Sequence, residues 1–379
     1  MRIVIILIWA YNNHYVPHIY TELKMRSDYF QRVIFILLAT IFMAASNSDI
    51  LQTGLAPVPN LDNLQLNHSS KLSEKWAVST NYRIFDSVGN VSTLEELITA
   101  IGNSDVTFLG EIHTDSVAHE LEALLLKKSW DDRQSLSLEM FESDVQFVLD
   151  EYMKGLISEE HFLESARSWK NYESDYRELI EFSKERGMPV IAANAPRRYV
   201  NMVHRLGKGA LLSLSEEGKQ FLPPLPYPDA SPEYENKFRA IMLAHQSMIS
   251  RTSANQEANN PHEDEDLNQI ESDIEEINSL HEETFERMLA AQNLWDSSMA
   301  WSIASHLKNN PNNRVIHVNG SFHTDFSLGI PEHLKNYLPH LDLLTVTIVP
   351  SLEYPNFQKS MKGLGDYIII TDGTLEPSH

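Results

Sequence analysis

The sequence has no cysteine. Disulfides, zinc–thiolate sites, Fe–S clusters and covalent c-type haem attachment are therefore excluded, as is a lipid anchor on an N-terminal Cys. Basic residues are scarce. There are 30 Lys and Arg against 53 Asp and Glu, and the net charge of −23 argues against nucleic acid and anionic membrane surfaces as partners. Phosphate-cradling and dinucleotide-binding glycine patterns, the nucleophile elbow and His-Glu-x-x-His are also missing. Kinase, hydride-transfer and serine-hydrolase chemistry lose their usual sequence support. Any bound metal has to be held by His, Tyr, Met, Asp or Glu.

The N-terminus also lacks an apolar run long enough to span a bilayer. Residues 33–43 are apolar apart from Thr40, with Arg26 and Arg32 before them and Ala44-Ala45-Ser46 after. That is the order of a secretory signal, with Met25 as an alternative start. Residues 1–48 are expected to be an N-terminal extension and signal peptide, with an uncleaved anchor as the alternative. Residues 49–74, polar and containing Pro57 and Pro59, read as a linker, and residues 75–379 as one folded domain.

Within that domain the apolar spacing alternates between helical and strand periods. Ser92 and Glu95 read as a capping box for a helix stopped by Gly102. Strands are predicted over 106–109, 135–138, 190–193, 315–318, 343–349 and 367–371. Helices are predicted over 116–128, 144–153, 158–169, 174–186, 197–206, 234–248 and 331–337, with a long helix running through Ile270, Ile274 and Ile277 to Leu307. This alternation implies an α/β fold, a mainly parallel sheet with helices on both faces. An acidic insertion over 250–286 interrupts it. Between Thr252 and Asp266 there is no Lys, Arg, Phe, Trp or Tyr, so that tract has little to bury and is expected to lack fixed structure.

Two short patterns end two of the predicted strands: Gly110-Glu111-Ile112-His113 and Gly320-Ser321-Phe322-His323, each followed by a Thr-Asp pair that reads as a helix start. Ligands of open α/β sheets bind outside the carboxyl ends of the strands. Two imidazoles converging there point to a transition metal or to haem iron. Glu111 and Glu139, also at strand ends, are suited to ligate a hard metal or to act as general base on bound water. His119, six residues beyond His113, either lines the same crevice or supports a ligand from behind. Asn194, Arg197 and Arg198 close one strand and open a helix, an arrangement that cradles a carboxylate or propionate. Tyr199 and Tyr227 are candidate phenolate ligands for iron. His245 and His317 read as structural.

The first Gly-x-x-His pattern with His119, the run Leu138-Glu139-Met140-Phe141-Glu142, and the stretch from Trp169-Lys170-Asn171-Tyr172-Glu173 to Pro196-Arg197-Arg198-Tyr199 resemble the ChaN-like haem-binding proteins of the Tiki/TraB/erythromycin-esterase superfamily. So do Leu222-Pro223-Pro224-Leu225-Pro226-Tyr227, Ala291-Gln292-Asn293-Leu294-Trp295-Asp296, and the second Gly-x-x-His pattern with Gly329-Ile330-Pro331. The resemblance covers about residues 80–350. It implies an exported protein, periplasmic or associated with the outer membrane or cell surface, that binds haem and serves haem or iron uptake. Haem would lie between two protomers, so a homodimer forms on haem binding. His113 and His323 would face the iron, and Arg197 and Arg198 would meet the propionates. Metallohydrolase relatives make a peptidase-like hydrolase the alternative. In that case His113, His323, Glu111 and Glu139 hold Mn, Co or Zn and activate water. A third reading is an interaction protein with a degenerate site, its acidic tract binding a basic partner. The sequence departs from the family in lacking the lipidated Cys of many relatives, in carrying Ala118 beside His119 where paired His is common, and in the acidic insertion.

Overall fold

Seven strands make a single sheet in the computed structural model, which describes residues 81–254 and 267–379, with side chains placed outside 245–281. The strands are β1 (Tyr82–Asp86), β2 (Val106–Glu111), β3 (Gln134–Glu142), β4 (Val190–Asn194), β5 (Arg314–Gly320), β6 (Leu343–Ser351) and β7 (Tyr367–Asp372). Their order is β1-β7-β6-β2-β5-β3-β4. Every pairing is parallel except that of β1 with β7. The runs that form β2, β3 and β5 are buried at every position, as expected of strands covered on both faces.

Alternate residues of the strands feed two apolar layers. On one face Leu109, Leu136, Leu138 and Val318 meet Val117, Leu121 and Leu125 of helix α2 (Ser116–Lys128). Leu97 of α1 (Leu94–Asn103) and Leu179 and Ile180 of α5 (Arg177–Arg186) join the same layer. On the other face Val106, Phe108 and Val315 meet Met299, Ile303 and Leu307 of α9 (Leu267–Asn309) and Leu334 of α10 (Ile330–Tyr337). Each fully buried Leu or Ile of these layers contributes about 1.5–3 kcal/mol. Helices on both faces of a mainly parallel sheet are what the sequence pattern implies.

Several local readings need correction. Strand β1 went unpredicted. The capping box of α1 is Thr93 with Glu96, one residue later than expected, and Gly102 lies inside the helix. The predicted helix over 158–169 is α4 (Glu159–Ser165), and a π-helical turn over Tyr172–Tyr176 leads into α5. Asp115 caps α2 as expected. Thr324-Asp325 starts no long helix, because Phe326 takes a left-handed φ of 65°. The signal segment, the linker and residues 255–266 of the acidic insertion lie outside the described residues. The remainder of the insertion belongs to α8 (Pro232–Ala254), which follows the short helix α7 (Glu216–Lys219), and to α9. No described helix is long and apolar enough to cross a membrane.

The outer edge of β4 is not left open. Gln146, the first residue of α3 (Gln146–Met153), donates to the Val190 carbonyl at 2.8 Å and accepts from the Ala192 amide at 2.7 Å. Ser302 of α9 donates to the Ala193 carbonyl at 3.0 Å.

Candidate functional site

Strands β2, β5 and β3 are successive neighbours, so their carboxyl ends bring His113, His323 and Glu139 together. Glu111 stands in register with Gly320, and both pattern glycines lie at close approaches. A Cβ on Gly110 would come within 3.0 Å of the Ser321 Cα, and one on Gly320 within 2.9 Å of the His113 Nε2. Glycine is required at both points by space, not by backbone angle. The predicted strand over 135–138 runs on to Glu142, but its regular pairing with β5 stops at Leu138 and a bulge follows. That irregularity frees Glu139 to turn inward.

The two imidazoles are held in the same manner. The Nδ1 of His113 lies 2.9 Å from Glu111 Oε1, which also accepts the Tyr176 hydroxyl at 2.8 Å. The Nδ1 of His323 bonds to Asp296 of α9. A carboxylate only accepts, so each Nδ1 carries the proton and each Nε2 keeps its lone pair. Both lone-pair nitrogens face one oxygen: Glu139 Oε1 is 4.0 Å from His113 Nε2 and 3.7 Å from His323 Nε2. The other Glu139 oxygen accepts the Gly320 amide at 2.7 Å. Trp169 packs edge-on against His113 and Trp295 against His323, with ring centroids 5.0 and 6.4 Å away. Lys237 of α8 ties down the second pattern by donating to the Phe322 carbonyl at 2.7 Å.

Burial on its own would lower both imidazoles. Glu111 and Glu139 overcome this at His113, and Asp296 and Glu139 at His323, so both lie above the ordinary His value. Burial works the other way on Glu111, yet His119 and His113 hold it well below the usual carboxylate range.

The remaining predicted residues are distributed around this centre. Glu111 supports His113 from behind and does not face the Nε2 atoms. His119 also lies behind, its Nε2 donating to the His113 carbonyl at 3.1 Å. Asn194 donates to the Glu139 carbonyl at 3.0 Å and accepts from the Ala195 amide at 2.8 Å, so it fixes the turn that carries Glu139. Arg197 pairs with Glu142 at 2.7 Å and Arg198 with Asp144; both guanidinium groups are already committed to carboxylates. Tyr199 is buried under the Arg198 guanidinium, and the Tyr227 hydroxyl donates to the Ala290 carbonyl at 2.9 Å. The structure brings neither phenol to an imidazole. His317 is buried in β5 against Ser137 and is pushed down to about 3 by burial, with His323 adding to the effect. The side chain of His245 lies outside the described residues. Asp296, Tyr176, Lys237 and Gln292, whose side-chain amide nitrogen lies 3.4 Å from His323 Nε2, went unread as site residues, although Gln292 and Asp296 sit in a run that carries the family resemblance.

Residues 97–334 match the family described as haem-binding uptake, Tiki superfamily, ChaN. No curated protein matches the chain. Among solved structures, ChaN of Campylobacter jejuni with cofacially bound haem is similar over 78% of this chain and 98% of its own, at 18% identity and a TM-score of 0.55. An erythromycin esterase mutant, EreC in its open conformation, is similar over 77% of this chain and 83% of its own, at 13% identity and a TM-score of 0.35. A Bacillus cereus protein is similar over 80% of this chain and 98% of its own, at 10% identity and a TM-score of 0.37. The first of these shares the fold.

Proposed function

The chain belongs to the ChaN haem-binding uptake family of the Tiki superfamily, and from that membership we propose that it is an exported protein that binds haem on an open face. We further propose that its imidazole crevice holds a bare divalent metal ion. Haem is the ligand of the family. The signal-like segment ahead of residue 47 supports export, and the family resemblance supports haem binding between two protomers.

One observation carries the reading of the crevice: two carboxylate-backed Nε2 atoms converge on a single buried carboxylate oxygen. Haem iron bound by either imidazole needs an open apolar face for the macrocycle. His113 and His323 are only 7% and 6% exposed, the β5 backbone at Gly320 lies against the His113 Nε2, and Glu139 occupies the space between the rings. The macrocycle does not fit there. A single ion does, and two neutral imidazoles with one carboxylate are a common donor set for Zn and related first-row ions. The hydrogen bonds from Nδ1 to Glu111 and Asp296 are the kind that orient metal-binding imidazoles. An ion held by His113, His323 and Glu139 would acidify a bound water or polarise a carbonyl, and this favours the metal-dependent hydrolase as the second reading.

Haemin titration followed at the Soret band, paired with metal analysis, tests both parts. Wild-type protein is expected to give the haemin-induced spectrum. His323→Ala and Glu139→Gln are expected to lose metal while their haemin affinity stays within about threefold, less than 1 kcal/mol. Loss of the Soret change in His113→Ala or His323→Ala would put the haem iron in the crevice and overturn the assignment. A wild-type protein without any haemin response would overturn the haem reading itself.

A further inference from the structure

Behind His113, on the side away from Glu139, lies a second group of donors that the crevice does not use. Glu111 Oε2, His119 Nδ1 and a Glu122 oxygen all lie within 4.8 Å of one another. Glu122 is wholly buried and His119 is 6% exposed. Neither carboxylate oxygen of Glu122 has a hydrogen-bond partner.

The tautomer of His119 makes this arrangement informative. Its Nε2 lies 3.1 Å from the His113 carbonyl and 3.3 Å from Asp175 Oδ2. Both are acceptors, so Nε2 carries a proton, and Nδ1 points the other way. In that direction stand two more acceptors, Glu111 Oε2 at 2.9 Å and Glu122 Oε2 at 3.6 Å. Two carboxylate oxygens and an imidazole nitrogen facing one another in a dry interior need a positive charge among them, either a proton on Nδ1 or a metal ion in its place. A proton on Nδ1 is within hydrogen-bond reach of Glu111 Oε2 at 2.9 Å but not of Glu122 Oε2 at 3.6 Å. A divalent ion faces all three and cancels the two carboxylate charges. Ligands about 2.0–2.2 Å from a tetrahedral ion stand roughly 3.5 Å apart, close to the spacing already present.

We infer that Glu111, His119 and Glu122 form a second cation site, buried behind the crevice, that takes a first-row divalent metal ion. Its support resembles that of the crevice. Asp175 backs His119 and is itself held by Asn171 at 2.8 Å and Ser378 at 3.0 Å, as carboxylates behind metal-binding imidazoles commonly are. The Tyr176 ring packs edge-on against His119 at 5.2 Å and helps keep water out. Glu111 joins the two sites: one oxygen orients His113 and the other belongs to the buried ion. None of the three crevice donors is shared, so the two assignments stand or fall separately.

The test is a metal count on the full chain, stripped with chelator and re-equilibrated with Zn²⁺ or Mn²⁺. About two equivalents per chain are expected for wild type, and about one for Glu122→Gln or for His323→Ala. The Glu122→Gln/His323→Ala double variant should hold none. Should only the crevice assignment fail, wild type would hold a single equivalent that His323→Ala keeps and Glu122→Gln loses. The buried site is overturned if Glu122→Gln keeps the wild-type count. It is equally overturned if His323→Ala removes all bound metal, the result expected of a cluster filled by protons alone. Glu122→Gln preserves volume; if it nevertheless fails to fold, the count in His323→Ala decides the matter.

Discussion

The two Gly-x-x-His ends use the same four-residue pattern but draw their support from different distances. At His113 the orienting carboxylate comes from the pattern itself, Glu111, with Tyr176 and Trp169 added from the turn before α5. At His323 it comes from Asp296 on α9, and the loop is tied down by Lys237 on α8. The orienting carboxylate of the first half is two residues from its imidazole and that of the second is 27 residues away, so the second depends for it on a long helix docking correctly. Equivalent chemistry at a sheet edge can thus be supplied locally or by tertiary packing, and only the local version is written into a motif.

The two halves differ most in how much rests on each carboxylate. Glu111 serves both His113 and His119, so Glu111→Ala is expected to cost about 3–5 kcal/mol, the range for breaking a buried ion pair. Asp296→Asn strips one imidazole and keeps an amide in place, which should cost about 1–3 kcal/mol. Urea denaturation midpoints would measure both, and equal losses would mean that the second half is as heavily loaded as the first. The glycines sharpen the contrast. Gly110→Ala meets the Ser321 backbone and should destabilise by about 1–3 kcal/mol. Gly320→Ala meets the His113 ring, with Glu139 Oε2 next at 3.6 Å, and should instead turn that imidazole and weaken metal retention.

Smaller effects are expected further out. Lys237 is brought down to about 8 by burial, which outweighs Asp325 and Asp296. Its folded value lies below its unfolded one, so between about pH 8 and 10 the unfolded chain binds more protons and stability rises with pH. Lys237→Met should abolish that rise, as read from denaturation midpoints at pH 7.5 and 9.5. A slope unchanged in the variant would assign the effect to another group. The smallest change is expected for removal of residues 255–266, which have no Lys, Arg, Phe, Trp or Tyr. The melting temperature should stay within about 2 °C.

Much of the scaffold was legible because local chemistry marks it. Helix α2 was read to the residue, since Asp115 caps it and Lys127 and Lys128 end it. Helix α6 (Arg197–Leu206) was read as well, lying between Pro196 and Gly207. Strand β1 was missed because five residues, Tyr-Arg-Ile-Phe-Asp, show no clear period and owe their conformation to pairing with β7. His113, His323 and Glu139, singled out from their places at strand ends, are brought together by the structure. Asp296 was not singled out, because on a helix of 43 residues nothing local distinguishes the one carboxylate that meets His323. Nor did the sequence reveal that Arg197 and Arg198 are already engaged by Glu142 and Asp144, since those partners come from a different strand end.

The edge of β4 has a consequence of another kind. A sheet margin is where a neighbouring molecule adds itself, one backbone zipped onto the next. Here a single side-chain amide, that of Gln146, has taken up the acceptor and the donor that such a guest would need. The glutamine acts as a dummy peptide, closing the sheet without spending a strand. Losing it would show first in crowded solution and hardly at all in dilute: the molecule would stay folded and become sticky.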